Sequence, residues 1–291
     1  MRAQKPQIVT SICAQLGEGP FWYNDALYWV NILGKKIYRY FPDKNDTEEM
    51  QLDQYVGTFA PRQKGGFILA LQSGFSFLDK FYGTVTHIIN PETDKPNNRF
   101  NDGKCDAVGR FWAGTMALDE SPNQGALYVF DRDHQVYKKH FPATISNGIC
   151  WSSDNKFMYY IDTPTHQVLV FDFNLTTGEI KNPRPLIVID PKEGSPDGMT
   201  IDIDGNLWIA LWGGGTVSCY KPGNAKLLHK IDLPVSQVTS CAFGGANLDE
   251  LYITTASVGL DEEKLKQEPL AGRLFNVNLG IRGLPTNSFS G

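Results

Sequence analysis

The chain predicts an all-β fold, a six-bladed β-propeller, on three observations. Six apolar pairs, Leu27-Tyr28, Ile68-Leu69, Phe111-Trp112, Met158-Tyr159, Leu207-Trp208 and Leu251-Tyr252, recur at separations of 41, 43, 47, 49 and 44 residues. A period of about 40–50 residues with several strands per unit is that of propeller blades. Five of the pairs follow a tight-turn signal, namely Asn24-Asp25, Val108-Gly109, Asp154-Asn155, Asp204-Gly205 and Asn247-Leu248-Asp249. Gly, Asn and Asp tolerate positive φ and therefore suit hairpins. Aromatic and β-branched residues fill the apolar segments, Gly and Pro punctuate them, and no apolar 3.6-residue period outlasts about one helix.

Taken in order, the first and the third to sixth units each read as a turn, an apolar anchor strand and a further alternating strand. The second unit, around Gly65-Gly66-Phe67-Ile68, fits this template least well. Near the end, Asp261-Glu262-Glu263-Lys264-Leu265-Lys266-Gln267 reads as a short helix whose neighbouring opposite charges suit a solvated face. Gln7-Ile8-Val9-Thr10 is placed to complete the sheet of Leu274-Phe275-Asn276-Val277 and close the ring. No Pro/Ser-rich linker or charge run divides the 291 residues, so residues 1–291 are expected to form one closed domain.

Composition excludes several function classes. The net charge of −5, from 27 basic and 32 acidic residues, is spread along the chain, so nothing resembles a nucleic-acid footprint or a polybasic membrane anchor. Met1 to Thr10 lacks the apolar core of a secretory signal, and no run approaches the roughly 18–20 apolar residues of a bilayer span. The expectation is a soluble, cytoplasmic protein with neither nucleic-acid nor membrane partners. Its five cysteines are odd in number and show no CxxC spacing, which points to free buried thiols.

Residues at equal phase in successive blades meet around one axis, because each blade's first strand lines the central channel. Counting back from the anchors puts Glu18 nine residues before Leu27, Asn101 ten before Phe111, Asn147 eleven before Met158, Asp197 ten before Leu207 and Ser240 eleven before Leu251. Four of these lie in small-residue contexts: Gly17-Glu18-Gly19-Pro20, Asn101-Asp102-Gly103, Ser146-Asn147-Gly148 and Pro196-Asp197-Gly198. Asn-Gly and Asp-Gly are also ordinary turn dipeptides, but a glutamate between two glycines brings no turn benefit. Two carboxylates and an amide oxygen facing one point repel unless a cation sits between them, and a hard divalent ion suits oxygen donors. None of the five histidines falls at ring phase, which disfavours a histidine-rich zinc centre. Calcium, magnesium or manganese fits the donor chemistry better, although an oxygen-only site can also take zinc.

Other motifs carry less. Asp202-Ile203-Asp204-Gly205-Asn206 resembles the start of a calcium-binding EF-hand loop, but Gly213 stands where the closing glutamate belongs, so it reads as a hairpin turn. Gly213-Gly214-Gly215 lacks the Lys-Ser/Thr of a phosphate loop, and no G-x-S-x-G occurs.

The segments Gly17-Glu18-Gly19-Pro20, Asn97-Asn98-Arg99-Phe100-Asn101-Asp102-Gly103-Lys104, Ala113-Gly114-Thr115-Met116, Ile145-Ser146-Asn147-Gly148, Pro196-Asp197-Gly198-Met199 and Thr239-Ser240-Cys241-Ala242-Phe243-Gly244-Gly245 carry a family resemblance. In that order they resemble the senescence marker protein / gluconolactonase / luciferin-regenerating-enzyme-like family. The resemblance implies a six-bladed propeller with one divalent metal in the channel, held by Glu18, Asn147 and Asp197. It also implies substrate contacts from Arg99 and Asn101, and from Asp119, where the best-known animal member has glutamate. The segment from Met116 to Gly125 is shorter than in that member.

The expected chemistry is metal-assisted hydrolysis of a sugar lactone, with Asp197 orienting or deprotonating the attacking water and Asp102 as the alternative base. Arg99, Asn101 and Asp119 would bind substrate hydroxyls. Three alternatives stay open: hydrolysis of phosphotriesters or luciferin-related compounds, a calcium-binding regulatory protein without turnover, and a propeller that only presents its rim to a protein partner.

Overall fold

The computed structural model describes residues 5–291 and contains six four-stranded antiparallel sheets set as the blades of a propeller. The innermost strands are Gly17–Tyr23, Val56–Pro61, Asn98–Cys105, Ser146–Trp151, Ser195–Ile201 and Val238–Gly244. Each adjoins the next, and the sixth returns to the first. Among the described residues no helix is long and apolar enough to cross a membrane.

All six anchor pairs lie in the second strand of their blade, within Ala26–Asn31, Phe67–Leu71, Phe111–Ala117, Phe157–Asp162, Leu207–Trp212 and Glu250–Thr255. Strand alternation explains why pairs recur rather than single residues, since one member faces each neighbouring blade. Phe111 meets Phe75 of the second blade, while Trp112 meets Trp151 and Phe173 of the fourth. Each fully buried ring of this kind contributes about 1.5–3 kcal/mol.

The turns follow the expected chemistry. Asn24 and Asp25 both take positive φ, 47° and 59°, as a two-residue hairpin requires. The poorly fitting second unit uses Gly65 and Gly66, at φ 89° and 70°, to the same end. Ring closure combines both ends of the chain, with Gln7 opposite Asn276 and Ile8 opposite Phe275. The short helix is Glu262–Gln267, capped by the Asp261 carboxylate, which accepts from Lys264 N at 2.8 Å. Cys105, Cys150, Cys219 and Cys241 are free and buried, whereas Cys13 is free and exposed and donates to Ala271 O.

A feature of the inner strands positions the site. Each breaks register with the second strand of its blade near its start: between Glu18 and Phe21, Val56 and Thr58, Phe100 and Gly103, Asn147 and Ile149, Pro196 and Met199, and Val238 and Ser240. A bulge bends the strand and re-aims its side chains. Six at one level turn a ring of strands into a ring of inward-facing groups.

Candidate functional site

Glu18, Asn101, Asp102, Asn147, Asp197 and Ser240 all sit at these bulges, with Arg99 just ahead of one, and all seven are buried. The glycines beside them permit the close approach. A Cβ on Gly148 would stand 2.6 Å from the backbone oxygen of Asp197, and one on Gly198 would stand 2.1 Å from Ser240 Oγ. Adjacent inner strands can draw together at this level only without those side chains.

The carboxylates of Glu18 and Asp197 lie near enough to act on one another directly, and Asp102 adds its charge to both. Burial, followed by the charges of Asp197 and Asp102, pushes the Glu18 carboxyl well above the usual carboxylate range. Burial and then the charge of Asp102 do the same to Asp197, against partial relief from Glu18, Asn147 and the Gly198 N–H. Asp102 is also raised by burial, opposed by Lys104 and by its bond from Gly103 N at 2.7 Å.

Hydrogen-bond accounting shows what the cluster lacks. Asn147 Nδ2 donates to Thr163 Oγ1 at 3.1 Å, yet Asn147 Oδ1 and Asp197 Oδ1 are buried without a protein partner. A buried acceptor with no donor costs about 1–3 kcal/mol, so two beside a second carboxylate describe a place for positive charge. Among the described residues no three His, Cys, Asp or Glu side chains form a metal cluster. The set is mixed, two carboxylates and one amide oxygen, and such oxygen donors fit a hard divalent cation.

Arg99 borders this cluster. Burial lowers its guanidinium to about 10, while Glu18, Glu120, Tyr55 and Asp197 oppose the shift. Its Nη1 donates to Phe100 O at 3.0 Å and to Asn101 Oδ1 at 2.7 Å, and Asn101 Nδ2 donates to Ser146 O at 3.0 Å. Both halves of the Asn101 amide thus hold Arg99 and the next blade in place, leaving one lone pair on Oδ1.

Asp119 stands on the exposed segment after the third blade's second strand, and its Oδ1 accepts from Ser121 N at 3.1 Å. Its neighbour Glu120, not singled out from the sequence, is the acid on that segment whose charge acts on Arg99. Thr163 and Tyr55 were likewise missed. Thr163 lies in the turn leaving a second strand, and Tyr55 just before the second blade's bulge, where channel phase gives no signal.

A cavity of about 270 Å³ lies elsewhere, lined by Lys104, Cys150, Trp151, Thr200 and Phe243 and bounded by Pro285. These inner-strand residues follow Asn101, Asn147, Asp197 and Ser240 by three or four positions, about 10–13 Å at 3.3 Å per residue. Among the described residues that line this cavity none is a carboxylate, and Lys104 Nζ donates to Met199 O at 3.0 Å. Glu18 and Asp197 lie outside it.

A six-bladed propeller with an acid–amide ring at one channel end defines the class of protein, and comparison with known sequences gives the family. Residues 16–257 match the SMP-30/Gluconolactonase/LRE-like region, and the chain belongs to that family. It is 39% identical over 296 residues to regucalcin of Danio rerio and 38% identical over 299 residues to regucalcin of Homo sapiens, covering 100% of both chains in each case. Among solved structures, a luciferin-regenerating enzyme is 34% identical with a TM-score of 0.92, over 98% of this chain and 100% of that one. A calcium-binding protein, regucalcin, from Agrobacterium tumefaciens is 25% identical with a TM-score of 0.95, over 99% and 98%.

Proposed function

We propose that this chain is a divalent-metal-dependent hydrolase that opens a sugar lactone, an aldonolactone, with Glu18, Asn147 and Asp197 holding the cation. Calcium is the first candidate, and magnesium, manganese and zinc are the others. The observation that carries the reading is the pair of unpartnered oxygens, Asn147 Oδ1 and Asp197 Oδ1, buried beside Glu18 and within reach of the Arg99 charge. Membership of a family that includes gluconolactonases supports it.

When bound, the cation would supply Lewis-acid polarisation of the lactone carbonyl. The chain's own residues do the rest. Asp197, with its carboxyl raised by burial, orients the attacking water and takes its proton, and Asp102 is the alternative base. Water oxygen bonds to the carbonyl carbon, the ring C–O bond breaks, and the proton passes to the departing ring oxygen, giving the open hydroxy acid. Arg99, fixed through Nη1, turns the rest of its fork to substrate hydroxyls, with Asn101 Oδ1 as an acceptor. Asp119 is assigned a substrate contact by the family resemblance, from the exposed segment it shares with Glu120.

Proton release from gluconolactone, with and without chelator, tests the reading. Turnover should vanish with chelator, return with one of the four cations, and be absent in Glu18→Ala. A second reading has its own support, since the Agrobacterium relative is described as a calcium-binding protein. Tight calcium binding with no cation-dependent turnover on lactones, phosphotriesters or luciferin-derived compounds would favour it.

A further inference from the structure

Asn147 can serve a cation only with its oxygen, so something must keep the amide from turning its NH2 group into the cation position. We infer that Thr163 is the positioning residue that locks the Asn147 amide with Oδ1 toward the cation position. This rests on the cation reading above. Thr163 Oγ1 lies 2.8 Å from Pro196 O and 3.1 Å from Asn147 Nδ2. A carbonyl oxygen only accepts, and a threonine hydroxyl has one hydrogen, so that hydrogen is committed to Pro196 O. The hydroxyl can then only accept from Asn147, and the amide atom facing it must be the nitrogen. The reversed amide would set two acceptor oxygens against one another with no hydrogen between them. It would also place two N–H donors where the cation belongs, against the orphaned Asp197 Oδ1.

The same hydroxyl joins two of the ligands. Pro196 precedes Asp197, so Thr163 ties the amide of the fourth blade to the strand carrying the carboxylate of the fifth. Thr163 is itself held, its N–H donating to Ile145 O at 3.1 Å in the turn that leaves the strand Phe157–Asp162. Losing the hydroxyl would remove the acceptor that holds Nδ2 and free the amide to turn its NH2 group into the cation position, a state that competes with cation binding.

The test is calorimetric titration of the full chain with whichever of calcium, magnesium, manganese and zinc binds wild type most tightly, requiring no turnover. Thr163→Val, nearly the same shape without the hydroxyl, should weaken affinity about 10- to 100-fold, as loss of an orienting partner does. Thr163→Ser should stay within about 3-fold of wild type, since it keeps the hydroxyl. A cycle with Asn147→Asp separates orientation from general loosening. A carboxylate presents oxygen whichever way it turns, so Thr163→Val should cost less than about 3-fold on that background. Equal losses on both backgrounds, or Thr163→Val binding as tightly as wild type, overturn the inference while leaving the cation reading standing. A wild-type chain that takes none of the four ions overturns both.

Discussion

Asp197 and Asp202 stand near the start and just past the end of one inner strand, Ser195–Ile201, and both are buried. Asp202 is fully provided for: its carboxylate accepts from Asn206 N at 2.8 Å, from Asn206 Nδ2 at 3.0 and 3.2 Å, and from Trp208 Nε1 at 3.0 Å. Asp197 keeps an oxygen with no partner. The third blade shows a weaker form of the contrast, because Asp106 takes Val108 N, Arg110 N, Arg110 Nε and Trp112 Nε1 while Asp102 accepts from Gly103 N with Lys104 nearby and adds its charge to Glu18 and Asp197. Burial alone does not separate Asp197 from Asp202; the missing donor does.

The pair should respond to substitution in opposite ways, and this is the largest effect expected. Asp202→Ala strips the acceptor from Trp208 Nε1 and from both Asn206 nitrogens, at a cost of about 3 kcal/mol or more in unfolding free energy by urea titration. Protein that remains folded should bind the cation within a few-fold of wild type. Asp197→Ala should abolish turnover and lower cation affinity about 100-fold or more, since a charged ligand is lost outright. Its cation-free stability should stay within about 1 kcal/mol of wild type or exceed it, because an ill-satisfied buried charge is removed. If both variants lose only stability, the contrast between the two aspartates collapses.

Acidity sharpens the same comparison. Burial and like charge hold both the Glu18 and Asp197 carboxyls above the usual carboxylate range in the folded state, making them weaker acids. Between the ordinary carboxylate range and those raised values the folded chain holds more protons than the unfolded one, so cation-free stability falls as pH rises. Cation binding demands the deprotonated forms and offsets that loss. The gain in melting temperature on adding calcium should therefore grow from pH 5 to pH 8, and a constant gain would show that these carboxylates are not linked to the ion.

A smaller effect concerns the glycines that allow the ring to tighten. At Gly148 the atom a Cβ would meet is the backbone oxygen of Asp197, 2.6 Å away, so the ligand-bearing strand itself must move. Gly148→Ala should cost about 1–3 kcal/mol by overpacking and weaken cation affinity together with it. At Gly198 a Cβ would meet Ser240 Oγ at 2.1 Å, Cβ at 2.5 Å and Cα at 2.9 Å, and rotating the hydroxyl relieves only the first, so Gly198→Ala should cost about as much as Gly148→Ala in both measurements.

The fold was legible because its signal is repetitive: six anchor pairs, turn residues with positive φ and one latch could each be read from local chemistry. The ring at the mouth was legible too, since equal phase in a closed repeat becomes proximity, and Glu18, Asn147 and Asp197 do converge. What phase could not show is the bulge at each of these positions, which decides where the side chains aim, because one extra residue leaves the spacing to the next anchor within its natural scatter. Thr163 escaped for a different reason. It belongs to a turn rather than a channel strand, and its importance lies in a single hydrogen whose direction depends on Pro196 O, a backbone atom of the next blade.

The smallest effect tests the acids that the sequence could not tell apart. The family resemblance chose Asp119, but its Oδ1 is engaged with Ser121 N on an exposed turn, while the neighbouring Glu120 supplies a charge that acts on Arg99. Asp119 and Glu120 are both exposed and their charges are screened by solvent, so only modest changes in substrate binding are expected. If the rim acid works by orienting or charging Arg99, Glu120→Gln should raise KM about 2- to 4-fold with kcat unchanged, and Asp119→Asn should move it less than about 2-fold. The reverse order would mean that the segment from Met116 to Gly125 rearranges over bound substrate to bring Asp119 inward. It would also break the rule drawn from Asp197 and Asp202, since a carboxylate with a partner of its own would then be the functional one.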